Sequence, residues 1–375
     1  MKQTLLNNIK NVYGWKTSRK IVVISVDDYG NVRLDSKKAR DNMDAVGLKA
    51  IKRFDAFDSL ETKEDLEILF ETLTSVKDIN NNPAVFTPFA LPCNINFEDM
   101  AKGGNENYIY ELLPVSFQKM ASKYPTSYEG TWSLWKEGID KGLMKPQFHG
   151  REHFNLRIFK DKLKKRDKNI LLNLKNYSNT SSSKFDYKTI KYSAAFSFWN
   201  FKENDLFEEI IKDGLIQFEK VYRYRSTHFN PPGGREHPVI HKYLKDSGIK
   251  YLDTPFLKQE HQDKGKFKKV YNYTGKKNKI GMTYQVRNVV FEPTHNRGFD
   301  WVNYALKQIE TAFFWNRPAI ISSHRVNFCG HVDPNNRKTG INALKELLKK
   351  IVQKWPDVEF MSSVELGELI VKGKS

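Results

Sequence analysis

The stretch Ile21-Val-Val-Ile-Ser-Val-Asp-Asp-Tyr-Gly30 decides the fold that we predict for this chain. Its first six residues are β-branched except for Ser25 and do not alternate with polar ones, which is typical of a strand buried on both faces of a parallel sheet or barrel. The strand ends on Asp27 and Asp28, and two adjacent carboxylates at the end of a core strand need a compensating metal, base or positive charge. Because ligands of α/β sheets and barrels lie beyond the carboxyl ends of the strands, the pair predicts a functional site. A plain polar turn is the alternative interpretation.

The rest of the chain alternates strands with helices, and the connections are long enough for parallel pairing. Further strands are predicted at 84–91, 224–229, 249–253, 286–291, 319–323 and 358–361, and helices at 36–46, 59–76, 132–143, 206–218, 237–247, 301–314, 339–354 and 364–371. This pattern predicts an α/β fold, a distorted (β/α) barrel. We expect residues 1–375 to form a single barrel domain with helical and loop insertions at about 93–130, 156–200 and 258–282, the first of them polar and irregular.

Composition limits the classes of function. With 375 residues, 39% of them hydrophobic and 13% aromatic, the chain has enough apolar material for a large core, which excludes global disorder. The net charge of +18 is compatible with nucleic acid, an anionic membrane surface or an anionic substrate. The lysines are scattered, as in proteins from AT-rich genomes, and the basic stretch at 160–168 has no interleaved aromatic residues, so nucleic-acid binding is disfavoured.

The two cysteines, Cys93 and Cys329, provide neither a disulfide framework nor a cysteine-type zinc site, which fits a reducing compartment. Residues 1–20 lack the apolar run of a signal peptide. No stretch approaches the roughly 18 apolar residues of a transmembrane helix. We therefore predict a cytoplasmic protein without a membrane-spanning segment.

The segment His149-Gly-Arg-Glu-His153 places two imidazoles four residues apart. On a helix or a helix-like turn, this spacing puts both rings on one face, within reach of one ion. Asp28 would add an oxygen ligand, and two histidines with one carboxylate leave coordination positions open, as in catalytic metal sites. A pair of ordinary surface or capping histidines is the alternative. The segment is not the zinc protease motif, because Gly150 and not Glu follows the first histidine.

Read together, these motifs resemble those of the polysaccharide deacetylases, the NodB-homology family, over roughly residues 20–370. The resemblance rests on five motifs that occur in the family's order, each at or near the end of a predicted strand. They are Val26–Gly30, the His149 and His153 pair, Phe229–Gly234, Asp300–Trp301 and Ile320–His324. The resemblance implies a distorted (β/α) barrel of the polysaccharide deacetylase type.

The resemblance also implies roles for single residues. Asp27 is implied as the catalytic base and His324 as the general acid. Asp28, His149 and His153 are implied as ligands of a divalent metal, with Zn²⁺ as the first choice and Co²⁺, Ni²⁺ or Mn²⁺ as alternatives. The substrate-binding residues that we expect are Asn230, Pro232, Gly234, Arg235, Trp301 and Arg151. Asp300 and Trp301 have a second interpretation, in which they cap and pack a helix.

Three departures separate this chain from the family pattern. Tyr29 is an extra residue in the first motif, and the gap from Asp28 to His149 is long. Asn230 stands where the family has an arginine that pairs with the catalytic Asp. An Asn has no positive charge, so that charge would come from Arg235, Arg225 or Arg151, or be absent. The YdjC-like sugar deacetylases, a related barrel family, have a similar first motif, which leaves the branch open.

The leading hypothesis is a metal-dependent carbohydrate deacetylase, a hydrolase of C–N bonds other than peptide bonds. It would remove an N-acetyl group from a nucleotide-, lipid- or oligosaccharide-linked amino sugar during assembly of a surface polysaccharide or glycoconjugate. The alternative is a catalytically impaired, deacetylase-like protein that binds carbohydrate or a partner. Nucleic-acid binding is a third hypothesis. A barrel glycosidase would need a separate carboxylate pair, for which no convincing candidate stands out.

Overall fold

A computed structural model of the chain describes residues 2–180 and 190–373. For residues 2–4 the description covers the backbone alone. The strands are β1 (Lys20–Tyr29), β2 (Phe86–Ala90), β3 (Cys93–Ile95), β4 (Tyr110–Leu112), β5 (Gln147–Phe148), β6 (His228–Phe229), β7 (Tyr251–Asp253), β8 (Leu257–His261), β9 (Phe267–Tyr271), β10 (Thr283–Gln285), β11 (Val289–Val290), β12 (Ala319–His324) and β13 (Val358–Met361).

The α-helices are α1 (Lys2–Val12), α2 (Lys37–Ala45), α3 (Lys63–Thr74), α4 (Phe97–Lys102), α5 (Leu113–Lys123), α6 (Pro125–Tyr128), α7 (Thr131–Asp140), α8 (Leu156–Lys164), α9 (Lys168–Lys175), α10 (Phe207–Tyr222), α11 (His241–Asp246), α12 (Trp301–Phe314), α13 (Pro334–Lys354) and α14 (Ser363–Lys372). Short 3₁₀ helices lie at Ala50–Lys52, Phe201–Leu206, Pro232–Gly234, Pro238–Ile240 and Arg325–Phe328.

The central sheet is parallel throughout and β1 lies in its middle. In the described chain its strands follow the order β10-β7-β6-β5-β2-β1-β12-β11, and β13 pairs with the first half of β1. The strands at the two ends of this path, β10 and β11, are not paired with each other in the described residues, so the barrel is incomplete. The prediction of an α/β distorted barrel is confirmed.

Side chains on the two faces of β1 pack into different cores. Val22, Ile24 and Val26 belong to the large core shared with the outer helices. Ile21 and Val23 point to the other face, where they pack against Ile320, Leu366 and Ile370 in a smaller cluster. Successive residues of a strand alternate between faces, so Asp27 falls on the face of Ile21 and Val23, inside the barrel.

The element predictions are accurate for long periodic segments and less so elsewhere. The predicted helix 301–314 and strand 358–361 have the observed bounds, whereas the predicted helix 59–76 begins only at Lys63, after a capping box between Thr62 and Asp65. The segment predicted to be irregular around 93–128 instead holds β3, β4 and three helices, with a fourth, α7, beginning at Thr131. Of the predicted insertion at 156–200, residues 181–189 lie outside the described residues.

Two antiparallel hairpins lie outside the central sheet. One joins β3 to β4 and the other joins β8 to β9, which falls inside the predicted insertion at 258–282. In residues 2–180 and 190–373, none of the helices combines the length and the apolar character that crossing a bilayer requires.

Candidate metal centre and catalytic site

Two carboxylates from one strand end face the same cavity because the backbone departs from regular β geometry there. In a regular strand Asp27 and Asp28 would point to opposite faces. Here the pairing of β1 with β2 shifts register between Val26 and Tyr29, and Asp28 has a φ of +77°, in the left-handed region that non-glycine residues rarely adopt. Both side chains therefore line one cavity, and such backbone strain is typical of functional sites.

The turn after these carboxylates depends on a glycine. Gly30 has a φ of +74°, and a Cβ placed on it would lie 2.7 Å from the carbonyl oxygen of Leu91 and 2.9 Å from a methyl carbon of Leu113. Any larger residue would push the loop away from these neighbours. The glycine thus fixes the exit of the chain from β1 and with it the position of the two carboxylates.

His149 follows β5 and is oriented by a backbone carbonyl. Its Nδ1 lies 2.8 Å from the carbonyl oxygen of Asn230, an acceptor, so the ring proton is on Nδ1. Its Nε2 is buried, has no hydrogen-bond partner among the described residues, and lies 3.7 Å from Oδ1 of Asp28. A metal-binding histidine usually donates one ring N–H to a carbonyl or carboxylate, which leaves the lone pair of the other nitrogen for the metal. His149 has this arrangement.

His153 completes a cluster of three ligand atoms. One atom each from Asp28, His149 and His153 lie within 4.8 Å of one another, and all three side chains are buried. The Nε2 atom of His153 lies 2.8 Å from Oδ1 of Asp28. The segment 149–153 is an irregular loop with Gly150 at a φ of +97°, not the helix or helix-like turn that the spacing suggested. This donor set of two imidazoles and a carboxylate fits a divalent metal ion.

The protonation of these groups follows from their surroundings. Burial alone would raise the pKa of Asp28, but nearby His153 and the Arg33 guanidinium hold it well below the ordinary value. Burial, with the nearby Arg33 cation, lowers the pKa of His153 to about 4. At neutral pH the cluster therefore contains a charged carboxylate at Asp28 and a neutral imidazole at His153, which are the net charges that metal binding requires of these groups.

Asp27 is held by two donors on one oxygen. Its Oδ1 accepts 2.8 Å hydrogen bonds from the Asn230 amide and from Nη2 of Arg287, while its Oδ2 lies 3.9 Å from Nε2 of His324. The carboxylate is thus fixed in orientation by one oxygen and directed towards His324 by the other. Asn230 therefore contacts Asp27 from the position where the family pattern has an arginine.

Arg287 supplies the positive charge beside Asp27, a role that the sequence analysis did not predict for it. It precedes β11 and also binds Asp253, at the end of β7, at 2.6 Å. The three arginines expected in this role lie elsewhere. Arg225 pairs with Glu219 on the surface, Arg151 pairs with Glu152 and Asp213, and Arg235 lies over the ring of Phe267. No recognised motif contains Arg287, so only the fold reveals it.

His324 lies at the end of β12 and lines the same cavity as the metal-ligand cluster. Its Nδ1 lies 2.7 Å from Oε1 of Glu292, which follows β11 and was also missed. Burial would lower the pKa of His324, but the charge and hydrogen bond of Glu292, together with the charges of Asp27 and Asp28, raise it to about 10. The imidazolium therefore keeps its proton at neutral pH, with Nε2 facing Asp27.

These groups share a cavity of about 570 Å³. Besides Asp27, Asp28 and the three histidines, its walls hold Arg33, Arg53, Phe54, Asp55, Ser193, Asn230, Pro231, Gly233 and Gly234. Phe54 is 40% exposed and its ring centroid lies 5.0 Å from that of His324. An apolar ring beside convergent polar groups is the usual composition of a small-molecule site.

Some predicted substrate residues are at the cavity and others are not. Asn230 and Gly234 line it, and Pro232 is buried next to them. Trp301 instead packs on Phe299 and Tyr304 at the start of α12, where Asp300 caps the helix through the amide of Asn303. The capping and packing interpretation describes these two residues. Arg151 and Arg235, placed above, are also absent from the cavity walls.

Neither a family model nor a curated protein matches the sequence. Solved structures do match, among them proteins described as a putative and a probable polysaccharide deacetylase. A putative polysaccharide deacetylase from Mycobacterium smegmatis is 11% identical, with 96% of this chain and 94% of that chain covered and a TM-score of 0.45. The Puue allantoinase is 10% identical, with 96% and 94% covered and a TM-score of 0.48.

A 4-alpha-glucanotransferase from Thermococcus litoralis is 11% identical, with a TM-score of 0.43; 93% of this chain but only 40% of that chain is covered. The chain therefore spans less than half of that enzyme.

Proposed function

We propose that this chain is a divergent polysaccharide deacetylase, a metal-dependent hydrolase that removes an N-acetyl group from an amino sugar. One observation carries the proposal. The ligand atoms of Asp28, His149 and His153 lie within 4.8 Å of one another, in a cavity that also holds a carboxylate, Asp27, and an imidazolium, His324. A metal-ligand cluster flanked by a base and an acid is the arrangement that hydrolysis of an amide requires.

The chemistry assigned to the site is the addition of water to the acyl carbon followed by expulsion of the amine. A divalent ion held by Asp28, His149 and His153 would supply Lewis acidity to the acyl oxygen and to a water molecule. Asp27 takes a proton from that water through Oδ2, the oxygen not bound by Arg287 and Asn230. The new C–O bond forms as the carbonyl π bond opens, and the C–N bond then breaks.

His324 gives its proton to the departing nitrogen, because an amine is a poor leaving group unless it is protonated. Glu292 holds the imidazolium by Nδ1, so Nε2 is the atom that donates. The products are acetate and a free amino sugar. Asp27 and His324 thus act as separate base and acid, and each is oriented by a charged neighbour, Arg287 and Glu292 respectively.

The finer assignments belong to the same proposal. We take Zn²⁺ as the ion, because it suits a site with two imidazoles, one carboxylate and open positions, ahead of Co²⁺, Ni²⁺ or Mn²⁺. The substrate class is an acetylated amino sugar linked to a nucleotide, a lipid or an oligosaccharide, used in surface polysaccharide or glycoconjugate biosynthesis. The cytoplasmic location stays a prediction from the sequence.

The test combines metal analysis with acetate release from a panel of N-acetylated hexosamines in the three linked forms. We expect the purified protein to contain about one equivalent of a divalent ion and to release acetate from at least one member. Asp27→Asn should remove activity and retain the ion, whereas Asp28→Asn should lose both. Asp300→Asn, at the helix cap, is the matched control and should retain both.

The second hypothesis, an impaired deacetylase-like binding protein, drew its sequence support from the missing arginine at Asn230. Arg287 now provides a positive charge at 2.8 Å from Asp27, which removes that support. Tight sugar binding without acetate release from any member of the panel would favour this hypothesis over hydrolysis.

A further inference from the structure

Arg33 lies inside the proposed metal centre, in the loop that follows β1. It is 5% exposed, and its Nη2 lies 2.9 Å from Nδ1 of His153 and 3.3 Å from Oδ1 of Asp28. A cation thus contacts two of the three groups proposed to bind the metal. None of the motifs in the sequence includes Arg33.

The contact with His153 fixes where the imidazole proton lies. A guanidinium only donates hydrogen bonds, so Nδ1 of His153 must accept. The neutral ring then carries its proton on Nε2, which faces Oδ1 of Asp28 at 2.8 Å and donates to it. In this arrangement Nε2 has no lone pair to offer to an ion.

His149 shows the opposite arrangement in the same cluster. Its Nδ1 faces the Asn230 carbonyl, an acceptor, so its proton is on Nδ1 and the lone pair of Nε2 is available. For His153 to bind an ion through Nε2, its proton must move to Nδ1. Nδ1–H of His153 would then face the N–H of Arg33, with the two nitrogens 2.9 Å apart. Two donors cannot form a hydrogen bond with each other.

The positive charge of Arg33 also opposes metal binding. The guanidinium neutralises the carboxylate of Asp28, which an ion would otherwise use, and a dication would lie close to the arginine cation. A second acceptor is within reach of Arg33, because its Nε lies 3.6 Å from Oδ2 of the buried Asp58. The guanidinium therefore has a carboxylate to which it can turn when it leaves Asp28.

We propose that Arg33 competes with the divalent ion for Asp28 and His153, so that metal loading requires Arg33 to withdraw and the His153 proton to move from Nε2 to Nδ1. This inference rests on the metal centre of the proposed function. It makes Arg33 a positioning residue that sets the metal affinity, and the cluster alternates between an arginine-bound and a metal-bound state.

The variant test measures Zn²⁺ affinity by competition with a chromogenic chelator, for the full-length protein and Arg33→Met. The variant removes donors and charge but keeps an unbranched chain. Loss of charge-assisted hydrogen bonds to Asp28 and His153 should tighten Zn²⁺ binding by about 10- to 100-fold. Arg53→Met is the matched control, because it removes a cation from the same cavity, and we expect a change below about 3-fold.

The outcomes separate the inference from the proposed function. The competition is supported if Arg33→Met binds Zn²⁺ more tightly than both the unaltered protein and Arg53→Met. The same holds if the unaltered protein binds no Zn²⁺ and Arg33→Met does. Equal or weaker binding by Arg33→Met overturns the competition and leaves the metal centre in place. Absence of Zn²⁺ binding in all three proteins overturns both.

A second measurement needs no variant and stays decisive if Arg33→Met does not fold. In ¹⁵N-histidine-labelled protein freed of metal, we expect His153 as the Nε2–H tautomer and His149 as the Nδ1–H tautomer. On addition of Zn²⁺, His153 should convert to the Nδ1–H form. A His153 ring that is already Nδ1–H without metal would refute the competition.

Discussion

Replacing Arg287 by Met tests how Asp27, the proposed catalytic base, is held in place. The arginine donates to Oδ1 of Asp27 at 2.8 Å and to Asp253 at 2.6 Å, and it is largely buried. A hydrogen bond to a charged group is worth about 1.5 to 3 kcal/mol, so loss of the Asp27 contact should lower kcat/KM by about 10- to 100-fold. Asn230 keeps its bond to Asp27, so the activity should fall without disappearing.

The same substitution should also cost stability. Asp253 is 4% exposed, and Arg287 is its charged partner, with His228 3.3 Å away. Breaking a buried ion pair by removing one partner costs about 3 to 5 kcal/mol. Adding Asp253→Asn should recover much of that stability, because the buried charge is gone, but not the rate, because Asp27 still lacks its donor.

The assay is acetate release from the best N-acetylated sugar of the panel, corrected for the folded fraction measured by denaturant unfolding. Arg225→Met is the control, since Arg225 pairs with Glu219 on the surface with 75% of its side chain exposed, and exposed pairs contribute little. A rate for Arg287→Met equal to that of the control would refute the orientation argument. Recovery of the rate together with the stability in the double variant would do the same.

Three further predictions follow from single contacts. Burial lowers the pKa of His324, but Glu292 and the nearby carboxylates raise it to about 10, so the ring keeps its proton until the pH rises through that value. Glu292→Gln should therefore move the basic limb of the kcat/KM profile to lower pH. Gly30→Ala should lower the free energy of unfolding by about 2 kcal/mol or more in denaturant titration, because its Cβ would lie 2.7 Å from the carbonyl oxygen of Leu91 at a φ of +74°. Phe54→Ala should raise KM several-fold with little change in kcat in steady-state kinetics, because Phe54 flanks the cavity beside His324 and holds no reacting proton.

A shift of ring resonances with pH gives an independent check on the first of these. The His324 imidazole should titrate well above neutral pH in the unaltered protein and closer to its ordinary value in Glu292→Gln. An unchanged titration would mean that the 2.7 Å contact with Glu292 does not control the proton.

The sequence predicted the parts of this site that are contiguous along the chain. A buried run ending on Asp27 and Asp28 marks a strand and its functional end, because burial and side-chain type are local properties. The His149 and His153 pair was predicted from the spacing of the two imidazoles. His324 was predicted from its place after the expected strand 319–323 and from the family resemblance. The structure places all five at one cavity.

The supporting charges were not predictable from the sequence. Arg287 reaches Asp27 across 260 residues of chain, Glu292 reaches His324 across 32, and Arg33 reaches His153 across 120. A lysine- and arginine-rich sequence offers many equivalent cations, and no local pattern distinguishes one that will be buried against a carboxylate.

The sequence by itself determined the alternation of strands and helices, the strand that centres the sheet, and the residues able to bind a metal or move a proton. The tertiary structure decided the direction in which these residues point and which charges stand beside them. The physical reason is that patterning records local burial, whereas the left-handed backbone at Asp28 and the ion pairs around it depend on contacts between distant segments.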